Sequence, residues 1–467
     1  MNKEIDLIIK NGTVFYKNKF TISNVIIHNG KILEISDNIK SYNAKKIIDA
    51  KNQTVIPGVI DVHFHVRAPS FPERGTVESE TKAAAKGGIT TLFEMPISNP
   101  CMSNGKVLKD RKEHFLKNTI INFSFIPAIG KLTNSNLSSL IKNGAIAFKI
   151  FTIAAPANRK SEFDGLCFTK ENEILEALIH AKKSNLTTIF HAEDQNMLDY
   201  FKKFENNFKK SNPKIHNATR PAITEALAIS KILNLNSIAK TKIHIAHVTS
   251  EISLDIISYF QKKGQDVSAE TCPHYLFKTE KDVIRVGPFG KINPPIRTKA
   301  DQDKLWKGLK NNSLSIIASD HASFSLNEKL KGKKDFSKAP PGSPGAELML
   351  PLMLDAASKK KINLKKVIEL MCLNPAKRFN IFPRKGIIKK GSDADLCILD
   401  LNAKWIVSQN TLVSKGKKCA HLYFGDKIKG MVKTTIVNGK IVYDNKKFYK
   451  YKNNNFLYPQ CLEMKYE

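Results

Sequence analysis

The sequence predicts an α/β chain, a (β/α)8 barrel accompanied by a small β-domain assembled from both chain ends. Three observations lead there. Across the middle of the chain, short apolar β-type runs alternate with stretches of helical apolar spacing. Both ends are rich in short β-branched runs punctuated by Asn-Gly pairs. At 467 residues, the chain has room for one large domain and a satellite.

At the start, residues 5–9, 13–16, 24–28 and 31–35 read as strands. Asn11-Gly12 and Asn29-Gly30 fall between them, and such pairs favour hairpins because both residues tolerate positive φ. Near the end, residues 394–398, 404–407 and 433–443 repeat this style, with Asn438-Gly439 as another hairpin turn. Between them lie strand-like runs at 90–93, 146–151, 187–190, 242–247, 267–270 and 315–318. Helical spacing separates them, as at 171–183, 224–235 and 251–263. Repeated β-then-α units imply a parallel sheet, and six or more such units suit a closed barrel better than an open sheet. The expected division is 1–55 for the first part of the β-domain, 56–384 for the barrel, and 385–467 for the second part and the tail.

A composition of 42% hydrophobic and 25% charged residues excludes collagen-like, coiled-coil and disordered chains. No apolar run approaches the roughly 20 residues that span a bilayer. The start, Met1-Asn2-Lys3-Glu4-Ile5-Asp6, lacks the basic and then apolar stretches of a secretory signal. We therefore expect a cytoplasmic protein without a membrane partner. The net charge of +32 raises the question of nucleic-acid binding. Only nine of the basic residues are Arg, and the lysines are spread over the whole chain in short pieces such as Lys359-Lys360-Lys361. Without interleaved Arg and aromatic residues this is a solvated lysine surface, and no nucleic-acid partner is expected. Mild steering of anionic substrates follows from it. Cys101, Cys167, Cys272, Cys372, Cys397, Cys419 and Cys461 form an odd set with no C-x-x-C. That is neither a disulfide framework nor a zinc ribbon, and it fits a reducing compartment.

His63-Phe64-His65 ends the apolar run Val59-Ile60-Asp61-Val62. Residues two apart on a strand share a face, so both imidazoles could meet one metal ion at the C-terminal mouth of a barrel. On its own, H-x-H also describes two histidines at a strand edge. The pattern repeats, however. His191 ends residues 187–190, His247 ends 243–246, and Asp320 ends 316–319. Four polar strand endings would converge on one mouth, and histidines with a carboxylate are donors that zinc favours. His244, three residues before His247, falls on the opposite strand face and reads as structural. His28, His114, His180, His216 and His421 read as surface or packing residues. Lys149 interrupts the apolar strand Ala145-Ile146-Ala147-Phe148-Lys149-Ile150-Phe151. A buried, unpaired ammonium is costly. Lys149 either snorkels to the mouth or is carbamylated, an anion able to bridge two metal ions.

Taken in order, these motifs resemble the cyclic amidohydrolases, the family of dihydroorotase, allantoinase, hydantoinase and dihydropyrimidinase. The resemblance covers nearly the whole chain. It runs from Pro57-Gly58-Val59-Ile60-Asp61-Val62-His63-Phe64-His65 through Gly87-Gly88-Ile89-Thr90-Thr91, Phe148-Lys149, His191-Ala192-Glu193 and His247-Val248-Thr249-Ser250. It continues with Glu270-Thr271-Cys272-Pro273-His274-Tyr275-Leu276, Asn293-Pro294-Pro295-Ile296-Arg297 and Ser319-Asp320-His321, and ends at Gly391-Ser392-Asp393-Ala394-Asp395-Leu396. It implies a distorted TIM barrel with a β-sandwich from both termini, and a homo-oligomer acting on a small cyclic ureide. It also implies two divalent ions, zinc by preference. His63 and His65 would hold one, His191 and His247 the other, with Lys149 as the carbamylated bridge formed with CO2. Asp320 would bind the first ion and move the proton as a metal-bridged hydroxide attacks the ring carbonyl.

On the substrate, the motifs divide. Arg67, Asn99 and Asn293 resemble the dihydroorotase residues that hold a substrate carboxylate, which a guanidinium grips in a bidentate way. For Arg67 the alternative is an ion pair with Glu73 or Glu78. Dihydroorotases usually carry a histidine four residues after the aspartate, where this chain has Phe324. That spacing, with Lys329 and Gly342-Ser343-Pro344-Gly345-Ala346-Glu347, resembles hydantoinase or dihydropyrimidinase. Those enzymes usually carry a tyrosine where this chain has Ala154. Residues 270–276 resemble allantoinase. We expect a dihydroorotase-like hydrolase, with hydantoinase, dihydropyrimidinase or allantoinase activity as alternatives. A non-catalytic partner subunit is a further alternative, which the intact set of six metal residues opposes.

Overall fold

The computed structural model describes residues 3–451 and 456–460. The chain opens with β1 (Lys3–Tyr16), β2 (Lys19–His28), β3 (Lys31–Ser36), β4 (Tyr42–Asp49) and β5 (Thr54–Pro57). The barrel strands follow as β6 (Val59–His65), β7 (Ile89–Glu94), β8 (Asn122–Phe125), β9 (Ala147–Phe151), β10 (Thr187–His191), β11 (Ile243–Ile245), β12 (Val267–Thr271), β13 (Ile316–Ile317) and β14 (His321–Ala322). Last come β15 (Leu396–Ile406), β16 (Lys427–Val437), β17 (Lys440–Asp444) and β18 (Lys447–Phe448).

Chain ends and chain middle separate as the sequence predicts. The terminal strands build one sheet in the order β18-β17-β16-β15-β5-β1-β2-β3, with β4 beside β1. Its apolar interior mixes residues from both ends: Ile9, Val25 and Ile27 pack with Leu396, Ile398 and Ile436. The middle forms two parallel sheets, β13-β12-β11-β10-β9 and β14-β6-β7-β8. Bridges Phe125–Ala145 and Ala128–Lys149 join β8 to β9. The eighth position is divided, with β13 pairing to β12 and β14 pairing to β6. The result is a distorted (β/α)8 barrel. Its interior is filled by strand residues such as Ile60, Phe93, Ala147, Ile189 and Ile316, with Phe379 and Ile381 packed on them. Helices cover the outside, among them Glu171–Lys182, Ala222–Ala239 and Glu251–Lys262. Among the described residues no helix is long and apolar enough to cross a membrane.

One turn expectation needs correction. Asn11-Gly12 is not a hairpin. β1 runs straight through it, and the register against β2 slips between Ile9 and Gly12, so the pair is a bulge. Asn11 still takes the positive φ (60°) that Asn tolerates. The β1–β2 hairpin turns instead at Lys17-Asn18, with φ of 49° and 64°. Asn29-Gly30 and Asn438-Gly439 do turn hairpins, with positive φ at both residues of each. Cys461 lies outside the described residues, and the other six cysteines are free thiols.

Candidate active site

The strand endings converge at the C-terminal mouth of the barrel. The β6–β7 register slips between Asp61 and Phe64, a bulge that re-aims the end of β6. His63 Nε2 and His65 Nε2 lie 3.4 and 3.5 Å from Asp320 Oδ1. The ligand atoms of these three buried residues all lie within 4.8 Å of one another. His63 donates from Nδ1 to Glu270 Oε1 at 2.5 Å, which fixes the ring with Nε2 toward the cluster.

A second pair adjoins the first. His191 Nδ1 and His247 Nε2 approach to 3.0 Å, and the His247 and His63 ring centroids are 5.2 Å apart. His191 donates from Nε2 to Glu193 Oε2 at 2.9 Å, and Arg220 holds that carboxylate at 2.5 Å. The proton of His191 therefore faces Glu193, and its other nitrogen faces His247. Burial pushes His65, His191 and His247 below the ordinary histidine value, so they present neutral imidazole, the ligating form. Burial raises the Asp320 carboxyl, but His63 and His65 outweigh it and hold the group down at about 2, as carboxylate.

Lys149 lies on β9 opposite Ile189 of β10 and is 1% exposed. Its Nζ is buried without a hydrogen-bond partner. Burial pushes its pKa down to about 8, while Glu270 and Asp320 pull the other way. His63, His65 and Asp320 are thus a candidate metal cluster, and His191, His247 and the orphaned Lys149 adjoin it as further groups able to hold metal.

Supporting residues fix this geometry. Asp61 accepts from the Ser319 amide at 3.0 Å and its hydroxyl at 2.5 Å, setting the turn in which Asp320 takes a φ of 44°. His247 is likewise left-handed, at 37°. Such conformations persist where surrounding bonds over-determine them. β11 ends at Ile245, so strand alternation does not reach His247 and cannot by itself separate it from His244. His244 is nonetheless a prop. It contacts Ser268 Oγ at 2.7 Å and Glu270 Oε2 at 3.0 Å, behind the carboxylate that orients His63.

The cluster opens into a cavity of about 240 Å³. Arg67 and Asn293 line it. Arg67 is buried, and its ring contact is with Phe324, whose centroid lies 4.6 Å from the guanidinium carbon. Its side chain donates to Ser323 O at 3.2 Å, and its Nε has no partner. Glu73 and Glu78 are not its partners; they lie near Arg74 and Lys82. Burial pushes the guanidinium down to about 9, helped by Arg74 and Arg159, and it remains charged at neutral pH. Asn293 Oδ1 is buried and unpartnered.

Asn99 departs from the expectation. It is exposed and does not line the cavity; its carbonyl accepts from the Ser70 hydroxyl at 2.5 Å. Four contributors carry no strong sequence signal of their own. Glu193 and Glu270 sit inside quoted motifs but look like ordinary strand-end acids. Arg159 and Arg220 lie outside any strand ending, and only the folded cavity assembles them.

A profile of the amidohydrolase family matches residues 54–442. The chain is 33% identical over 455 residues to a dihydroorotase of Clostridioides difficile, covering 94% of this chain and all of that one. It is 30% identical over 442 residues to an L-hydantoinase of Paenarthrobacter aurescens, covering 94% of each. A solved L-hydantoinase (dihydropyrimidinase) from Arthrobacter aurescens superposes with a TM-score of 0.89 at 29% identity, over 97% of this chain and 99% of that one. The chain belongs to the amidohydrolase family, which is metal-dependent, and within it to the group of hydantoinases and dihydroorotases.

Proposed function

We propose that this enzyme hydrolyses, or closes, a ring amide of a cyclic ureide that carries a carboxylate, as a dihydroorotase does. The observation that carries the reading is Arg67. Three guanidiniums line the cavity. Arg159 is neutralised by Glu162 and Arg220 by Glu193. Arg67 alone among them has no carboxylate within ion-pair distance, and it is buried with Nε unsatisfied. A buried cation of this kind calls for an anionic ligand. Phe324 does not replace the missing cation as an apolar wall would, because its ring face supports the Arg67 guanidinium.

On this reading His63, His65 and Asp320 would hold one divalent ion, and His191 and His247 would hold a second, zinc by donor type. Lys149, as a carbamate, would supply the anionic group shared by the two ions. The ammonium would first give up a proton, and the neutral amine would then form an N–C bond to CO2 and release a second proton to solvent, leaving a carbamate where a buried ammonium had no hydrogen-bond partner. The ions supply a water of lowered pKa and a Lewis acid for the ring carbonyl. Asp320 accepts the proton from the attacking water and delivers it to the ring nitrogen as the C–N bond breaks. Arg67 grips the carboxylate, and the free Asn293 Oδ1 accepts from a ring N–H. The six free thiols among the described residues support a reducing, cytoplasmic location.

A hydantoinase-like reading has its own support in the apolar part of the wall, Ile97, Phe151, Ile153 and Phe163, which suits an uncharged ring substituent. Turnover of dihydroorotate, dihydrouracil, hydantoin and allantoin by the metal-loaded enzyme decides. Dihydroorotate should be the best substrate. Efficient hydantoin turnover with none of dihydroorotate would replace the proposal by the hydantoinase reading.

A further inference from the structure

Arg159 has no role in the mechanism above, yet it lines the same cavity as Arg67 and Asp320. It lies on the loop after β9, in the short helical turn Ala157–Glu162, which is broken at Arg159 itself (φ −135°, ψ 25°). Glu162 is buried and holds the guanidinium side-on, with Nε–Oε1 at 2.7 Å and Nη2–Oε2 at 2.6 Å. The guanidinium carbon sits 5.2 Å from the Phe163 ring centroid, and Phe163 is also buried. The arginine is thus fixed from below while its side chain stays 25% exposed. A guanidinium carries five N–H donors, and Glu162 occupies only two of those of Arg159. A loop pair whose purpose was only to close the turn would not need to stand in the substrate cavity with donors to spare.

We propose that Arg159 is a second anion-binding residue of the substrate pocket. With Arg67 it brackets the ring carboxylate, and it selects anionic rings over neutral ones. Arg67 supplies the buried charge, which Glu94 and Glu162 favour from a distance but no carboxylate meets in an ion pair. Arg159 supplies pre-oriented donors whose own charge is balanced, so the pocket does not hold two bare cations when empty. The inference rests on the carboxylate reading of the site.

The test is steady-state kinetics of the metal-loaded enzyme on dihydroorotate and dihydrouracil, with each ring also measured as a competitor of the other. Arg159→Gln should raise KM for dihydroorotate by about five- to fiftyfold, discounted for exposure from a buried charged hydrogen bond. Its kcat should stay within about twofold, and affinity for dihydrouracil should not move. Arg159→Lys, which keeps the charge, should recover much of the loss. If both rings weaken together, or dihydroorotate KM stays within twofold of wild type, the assignment is overturned. Arg67→Met separates the two levels. If it weakens dihydroorotate and Arg159→Gln does not, only the Arg159 assignment falls. If neither does, the carboxylate reading falls as well.

Discussion

Lys149 shows how far a single residue could be read from sequence. A lysine inside an apolar strand stands out by chemistry alone, and the structure leaves its Nζ buried and unpartnered. Lys149→Ala should therefore lose metal and activity, with partial return on adding a small carboxylic acid. Full activity without metal loss would exclude the bridge. Asp320→Asn should keep at least part of the metal but lower kcat by about 10²–10⁴-fold, the range for removing a positioned acid–base group. Near-normal turnover would move the proton to another residue. Arg67→Met should weaken use of dihydroorotate by about tenfold to a few hundredfold, the range for a charge-assisted hydrogen bond, while sparing neutral rings. His63, His65, His191, His247 and Asp320 were legible because each ends an apolar run. Asn99 was misplaced because resemblance gives sequence order and not the direction of a loop. Arg159 was invisible, because a loop arginine means nothing until the fold sets it beside Arg67.

Elements carry the site through a few buried contacts. The helix Val77–Lys86 starts at a capping box, Thr76 with Ser79, and this places Glu80 in its first turns. The buried Glu80 carboxylate contacts His321 Nε2 at 2.9 Å and accepts from Ser414 Oγ at 2.6 Å and the Lys415 amide at 3.0 Å. It therefore ties a barrel helix, the residue after Asp320 and the segment leading into β16 together. Glu80→Ala leaves those donors without a partner and should lower stability by about 3–5 kcal/mol in urea unfolding. A change under about 1 kcal/mol would mean the network is dispensable. Burial raises the Glu80 carboxyl, but its hydrogen bonds, with His321 foremost, outweigh it and hold it below the usual carboxylate range. A depressed folded pKa stabilises above the unfolded value, and that stability is lost as pH falls through the folded one. Glu80→Gln should accordingly flatten the acid limb of the stability profile, and an unchanged limb would assign it to other carboxylates. Gly342, at φ 139°, shows an element constraint of another kind: a Cβ there would stand 2.8 Å from the Phe324 ring, which supports Arg67. The Asn-Gly pairs were legible as sites where Asn takes positive φ, but Gly30 and Gly439 share that conformation and Gly12 does not, a difference the sequence does not carry. The pairing of β1 with β2 and β4 makes the first pair a bulge.

At the scale of the molecule, the alternation of β and α runs and the strand-rich ends were enough to predict barrel and sandwich. Those patterns follow from burial, which every residue of an element repeats. The broken eighth strand was not legible. Only Ile316–Ile317 and His321–Ala322 pair, and the gap that carries Asp320 is held by Asp61 from β6, a contact across 258 positions. The net charge of +32 bears on encounter, not fold, and supports steering of an anionic ring toward the mouth. Metal removal should act on the whole chain. At free metal about a hundredfold above Kd, binding adds about 2.7 kcal/mol, so chelation should lower Tm reversibly. An unchanged Tm after complete removal of metal would show that the ions do not support the folded state. The claim on which all of this depends is that one barrel mouth holds two ions around Lys149. Elemental analysis of the purified enzyme, beside its Lys149→Ala variant, tests it most directly. Wild-type enzyme should carry two divalent ions per chain, chiefly zinc, and the variant fewer. A wild-type chain that is fully active with no divalent metal, or a variant that keeps both ions, would contradict it.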